Sequence, residues 1–345
     1  MKFSKLLLIA LSISLFASCS SDDDDAPKGA YDNGFFILNE GSSDAGTVSF
    51  SSNDFSIFTK DAYKAENGSD VLGKFVQNIF FEGDKAYIIA GGSNVINIVN
   101  RYTFKLIAKV DSGLANPRYG VIKDGKAYVT NANSYSAETG STDDYIAVIN
   151  LATNVVESKI ALNTTGNRII EEGGKLYITD PLGTDKLSIY NIASKTLEAP
   201  ITIGYGSDSI EEENGSLFIL QPSYTASSVI LKVKISDKSV SKIEIPESQG
   251  VAGFLDIEDN KVYYTVANSV YSITTSATAA ATSPLFTATS DIGYLYGFAV
   301  KDNRVFLADG GNFKEDSKAY IYNFSGSLLK ELTVGVGPNG FYFND

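Results

Sequence analysis

The chain has 345 residues, 43% hydrophobic and 12% aromatic, ample for a packed interior, and its 41 acidic against 28 basic residues give a net charge of −13. That acid excess argues against binding nucleic acid or anionic headgroups, both of which require basic patches. With no His, no Trp, one Cys and one Met (the initiator), the composition excludes Ser-His-Asp and Cys-His catalysis, His-ligated zinc, haem held by His or Met, and any disulfide within the chain.

Residues 1–18 read as an export signal: Lys2 and Lys5, an apolar run of 11 residues from Leu6 to Phe16, then small residues. A spanning helix needs roughly 20 apolar residues, so this run predicts a cleaved signal and not a permanent membrane segment. The only Cys, Cys19, follows Phe16-Ala17-Ser18. The stretch resembles a bacterial lipobox, with Phe16 where Leu or Val is usual, which implies acylation of Cys19; an ordinary secretory signal with an incidental Cys is the alternative. Residues 19–32 then form a tether opening on Ser20-Ser21-Asp22-Asp23-Asp24-Asp25. An acidic run there is a solvated linker. It also resembles the surface-export signal of Bacteroidota lipoproteins, implying a lipid-anchored protein exposed on the outer membrane, held by acyl chains.

Residues 33–345 read as all-β, with Val-, Ile-, Tyr- and Phe-rich runs punctuated by Gly, Asn and Asp. One phrase recurs, a tight turn followed by an aromatic among aliphatics: Gly83-Asp84-Lys85-Ala86-Tyr87, Asp124-Gly125-Lys126-Ala127-Tyr128, Gly173-Gly174-Lys175-Leu176-Tyr177, Asn214-Gly215-Ser216-Leu217-Phe218, Asp259-Asn260-Lys261-Val262-Tyr263 and Asp302-Asn303-Arg304-Val305-Phe306. Phe36 holds the same place without the turn. From Phe36 to Phe306 the mean step is 45 residues, the period of a four-stranded propeller blade. The clearest unit places strands at Tyr119–Lys123, Lys126–Asn131, Tyr145–Asn150 and Val155–Ile160. Seven aromatics head second strands, yet only six have an inner strand before them. Gly337-Pro338-Asn339-Gly340-Phe341-Tyr342-Phe343 supplies the missing one from the other end of the chain. The prediction is a seven-bladed β-propeller with Velcro closure by the C-terminal strand, which removes an exposed sheet edge. Residues 275–290 are the weakest stretch and predict a ragged outer strand.

In such blades the turns between first and second strands are tight, so the opposite face carries the variable loops, including the connection over 131–144. Ten residues before each blade's aromatic, the inner strand enters the central channel. This selects Gln77, Arg118, Asn167, Asp208, Gly253 and Tyr296, with Asn339 equivalent in the closing strand; Tyr119 and Arg168 lie one step further in. Two of the four arginines therefore stand at the mouth. Amide, guanidinium and phenol groups there provide directional hydrogen bonds for a ligand, or for one another. Tyr135, Tyr205, Tyr224, Tyr294 and Phe313 are candidates for an aromatic rim. Asp143-Asp144, Glu211-Glu212-Glu213 and Asp309-Gly310-Gly311-Asn312 lack EF-hand spacing and read as solvated surface, so no metal site and no catalytic residue is assigned.

The Asp-Gly-Lys-aromatic phrases, with Val148-Ile149-Asn150-Leu151-Ala152-Thr153, resemble the seven-bladed YncE-like propellers. Together with the lipobox, the acidic run and the phrase Phe36-Ile37-Leu38-Asn39-Glu40-Gly41, they resemble BtuG-type surface cobalamin-binding proteins of Bacteroidota. That resemblance implies a non-enzymatic lipoprotein that captures cobalamin (vitamin B12) for a TonB-dependent outer-membrane transporter, with cobalamin as ligand and no cofactor. A surface glycan- or protein-binding propeller is the alternative reading, and a Ca-dependent lactonase- or hydrolase-like enzyme a third.

Overall fold

The computed structural model describes residues 28–133 and 143–344. The export signal, Cys19, the acidic run and Tyr135 lie outside these residues. Among the described residues the strands form seven antiparallel sheets. The third blade, Pro117–Lys123, Lys126–Asn131, Tyr145–Asn150 and Val155–Ala161, follows the strands expected from the sequence almost residue for residue. The inner strands of the others are Val76–Glu82, Ile169–Glu172, Ile210–Glu213, Ala252–Glu258 and Leu295–Lys301. In the first blade the inner strand is Pro338–Asn344, paired antiparallel with Gly34–Asn39. Each inner strand packs against the next, and Leu295–Lys301 and Val76–Glu82 both meet Pro338–Asn344, so the ring is closed by the chain's own end.

Turn chemistry explains the tight face. In Asp124-Gly125, Gly173-Gly174, Asn214-Gly215, Asp259-Asn260 and Asp302-Asn303 both central residues have positive φ, the type I′ geometry that matches strand twist. Gly83-Asp84 has positive φ at Gly83 alone, the type II′ pattern.

The recurring aromatics hold the blades together. Phe36, Tyr87, Tyr128, Tyr177, Phe218, Tyr263 and Phe306 are all buried, and each sits in a different one of the seven apolar clusters wedged between neighbouring blades. Burying one such ring contributes about 1.5–3 kcal/mol, so the repeat is the signature of seven similar interfaces.

Three outer strands are irregular. Those of the first and sixth blades are reduced to Phe58–Thr59 and Phe286–Thr287, the latter as the weak 275–290 stretch predicts. That of the fourth is split into Thr196–Leu197 and Ile201–Thr202, both on Lys186–Asn191, with Pro200 unable to donate between them. The sequence pattern did not indicate the one α-helix among the described residues, Ala62–Asn67. Asp61 caps it by accepting from the Lys64 amide, and Tyr63 is buried. No helix among the described residues is long and apolar enough to cross a membrane.

Candidate functional site

The inner strands are not regular where they enter the channel. The ladder slips at Gln77, between Pro117 and Gly120, between Ala252 and Leu255, at Tyr296 and at Asn339, each a bulge with one extra residue. A bulge re-aims a side chain that would otherwise alternate with its neighbours. Five of the seven positions picked out by counting back from the aromatics, Gln77, Arg118, Gly253, Tyr296 and Asn339, fall on these bulges. Asn167 and Asp208 lie just ahead of their shorter strands, held from the preceding blade: the Thr130 hydroxyl donates to the Asn167 carbonyl (2.8 Å) and the Thr179 hydroxyl to the Asp208 carbonyl (3.0 Å).

Six of the predicted mouth residues, Gln77, Tyr119, Arg168, Asp208, Asn167 and Arg118, join in one chain of contacts. Gln77 Nε2 donates to the Tyr119 hydroxyl (2.9 Å), and the Arg168 guanidinium stands 4.6 Å from the centre of the Tyr119 ring. Arg168 pairs with Asp208 at 3.6 Å, Asn167 donates to Asp208, and Arg118 Nε donates to Asn167 Oδ1 at 2.5 Å. Burial opposes the Arg168 charge, but the Tyr119 ring face and the Asp208 carboxylate beside it more than offset this. Asn339 Nδ2 donates to the Val76 carbonyl (3.0 Å), clamping the closing strand to the second blade.

Tyr296 is engaged within the fold. Its hydroxyl donates to Glu40, and its ring packs against Tyr294 and Phe313, with centroids 5.8 and 4.9 Å away. Burial raises the Glu40 pKa, while the Tyr296 hydrogen bond and the Arg118 charge pull it back. Glu40 had no repeat position to mark it, since it lies in a loop. It also lines a recess of about 300 Å3 with Gln77 and Arg118 beside the mouth.

Of the rim candidates, Tyr294 and Phe313 come together, with ring centroids 5.9 Å apart. Tyr205 and Tyr224 stand exposed on the same loop-rich face, 69% and 87% accessible.

Deeper in the channel is a cavity of about 360 Å3 lined by Arg168, Glu211, Asp256, Asn339 and Tyr342. Glu211 was expected as solvated surface; it lines the lumen because strand alternation turns it inward, whereas Glu212 accepts from the Gly215 amide at the turn. Asp144 and Asp309 likewise prove buried, and Asp309 Oδ1 serves the fold by accepting from the Tyr294 and Gly311 amides. Glu211 pairs across its sheet with the blade aromatic Phe218, and Asp256 with Tyr263, so the two carboxylates hold equivalent places in adjacent blades. A signal was there: seven residues before each aromatic stand Phe80, Val121, Ile170, Glu211, Asp256 and Ala299. Burial raises both carboxyl pKa values; Asp256 raises Glu211 further and Arg168 opposes it. The Val300 and Ile257 amides, at 2.6 and 2.8 Å, work against the rise at Asp256. Among the described residues no three Asp, Glu or Cys side chains gather into a metal-holding group.

The model of a family described as a domain of unknown function, DUF5074, matches residues 33–343. No curated protein matches the chain in sequence. Similar solved structures include Kuenenia stuttgartiensis hydrazine synthase (15% identity, 79% of this chain and 92% of that one, TM-score 0.61). Apo AztD from Citrobacter koseri is 14% identical over 89% of this chain and 96% of that one, TM-score 0.52. The dihydro-heme d1 dehydrogenase NirN in complex with DHE is 12% identical over 92% and 76%, TM-score 0.56. At these identities the likeness is one of fold, and no chemistry transfers with it.

Proposed function

We propose that this chain, which belongs to the DUF5074 family, is a YncE-like propeller of BtuG type that binds cobalamin on its loop-rich face and hands it to a TonB-dependent outer-membrane transporter. The observation that carries the reading is the continuous run of directional groups at the channel mouth, from Gln77 through Tyr119, Arg168, Asp208 and Asn167 to Arg118. Cobalamin has a broad apolar face, a fringe of amides and one phosphate. Arg118 and Arg168 suit amide carbonyls or the phosphate, Asn167, Gln77 and Asn339 suit the amide fringe, and Tyr119 suits an apolar edge. Because the groups already satisfy one another, they are held in place before a ligand arrives, which limits the ordering cost of binding. Cys19 anchors the protein by acyl chains to the outer membrane, exposed at the cell surface.

Losing one charged hydrogen bond costs about 1.5–3 kcal/mol. Calorimetric titration of the full chain in mild detergent with cyanocobalamin should show binding, weakened about ten- to a hundredfold by Arg118→Ala or Arg168→Ala at about 1.4 kcal/mol per decade. With no His to reach cobalt, the bound vitamin should keep its base-on absorption spectrum. A flat titration at tens of micromolar protein removes cobalamin and leaves the glycan- or protein-binding reading in front.

A further inference from the structure

The mouth positions carry polar or aromatic side chains in every blade but the sixth, where Gly253 stands. Backbone geometry does not demand this glycine, which has no left-handed φ. A Cβ built there meets only Thr265 Oγ1, at 3.3 Å, and otherwise points into open space. The missing side chain opens a hollow of about 480 Å3 between the loops of the fifth, sixth and seventh blades. Phe254, beside Gly253, lines both this hollow and the channel cavity, so the two adjoin.

Three features of the hollow define what fits it. None of its lining residues is charged, in a chain of net charge −13, so an ionic group would lose hydration there without a counter-charge. Tyr224 and Tyr294 line it from different loops, 87% and 56% exposed, and small-molecule sites are concavities lined by aromatic and apolar side chains. Both loops are held in place. The Tyr294 amide donates to Asp309 Oδ1 (3.1 Å) and its carbonyl accepts from Gly310 (2.8 Å). The Ser223 amide donates to Ser228 Oγ (3.1 Å), which also accepts from the Ala252 amide (3.1 Å) and so ties the Tyr224 loop to the sixth blade.

We propose that the hollow over Gly253 is a subsite for a flat-faced, uncharged ring, covered by Tyr224 and Tyr294. The subsite rests on the reading that the loop-rich face binds a small molecule, and it places part of that ligand on the fifth to seventh blades, away from the two arginines. A ring of this kind comes either from the heteroaromatic base of cobalamin or from a hexose of a neutral oligosaccharide.

The test uses the full chain in mild detergent, labelled with fluorotyrosine, with the Tyr224 and Tyr294 signals assigned through Tyr→Phe variants. Cyanocobalamin and maltohexaose are titrated separately. One of them should shift both signals. Its affinity should fall about three- to tenfold in Tyr224→Ala and in Tyr294→Ala, the range for loss of a ring contact. Gly253→Gln, which fills the hollow with the side chain found at Gln77, should cost at least about tenfold on the same scale while leaving the melting temperature unchanged. If maltohexaose gives this pattern and cyanocobalamin does not bind, the hollow stands and the cobalamin reading falls. If either probe binds with both signals unmoved and Gly253→Gln neutral, the face binds but the hollow is not the subsite. Absence of binding by both probes overturns both readings.

Discussion

Glu211 and Asp256 show how a channel turns two unremarkable residues into a coupled pair. Each is open only to the lumen, and with both ionised two like charges would face each other beside the single positive charge of Arg168. The folded protein therefore binds more protons than the unfolded chain between the ordinary carboxylate range and the raised values, about 7 for Asp256 and about 8 for Glu211. By linkage, stability from this pair is greatest at the acid end of that window and falls as pH rises through it. The wild-type melting temperature should therefore drop between about pH 5 and about pH 8.5 by more than that of Glu211→Gln/Asp256→Asn, which cannot titrate there. Equal slopes in the two proteins would show that the pair is ionised throughout.

Among the elements, the closing strand has the most concentrated set of restraints. Asn344, fully buried, donates to the Tyr31 carbonyl (2.6 Å) and the Arg101 carbonyl (3.0 Å) and accepts from Arg101 Nε. One amide side chain thus joins the last strand, the segment before the first strand, and a turn of the second blade. Asn344→Ala leaves those carbonyls without their donor, at about 1–3 kcal/mol. Equilibrium denaturation should show that loss with an unchanged slope, since the same surface is exposed on unfolding. Deleting 337–345 should go further, because both Gly34–Asn39 and the neighbouring blades lose their partner; aggregation or loss of a cooperative transition is expected. A soluble truncation melting at the wild-type temperature would refute the strand's role in closure.

For the whole molecule, the face on which Lys28 lies bears on the proposed surface anchoring. The chain enters at Lys28, packed over the Tyr102 ring at 4.9 Å, and the Tyr31 amide donates to the Tyr102 carbonyl. Tyr102 lies in the turn joining Val95–Asn100 to Leu106–Val110, and the adjacent Arg101 amide bonds the Asp84 carbonyl in the tight Gly83-Asp84 turn. Lys28 thus lies on the tight-turn face, and the channel mouth, the hollow and the exposed tyrosines occupy the opposite one. A protein anchored through Cys19 would present its loop-rich face away from the bilayer. Protease added to intact cells should release the propeller, and Ala in place of Asp22–Asp25 should make it resistant by retaining it inside; protection of the unaltered protein would refute surface exposure.

Much of this was legible because the determinants are local and repeated. A two-residue turn with φ > 0 and a buried aromatic at a fixed offset need only a short stretch of chain, so seven blades, the closing strand and the mouth positions could be read from the period. The helix Ala62–Asn67 and the split fourth blade escaped because a local cap and one proline interrupt the period without erasing it. What the mouth residues do to one another depended on the tertiary structure. Asn167 and Asp208 are 41 residues apart, and Tyr296 and Glu40 are 256 apart. The first contact exists only once adjacent blades have packed, and the second only once the ring has closed. The same holds for the buried carboxylate pair and for the hollow at Gly253, since both are set by neighbours that blade packing, not chain order, brings together.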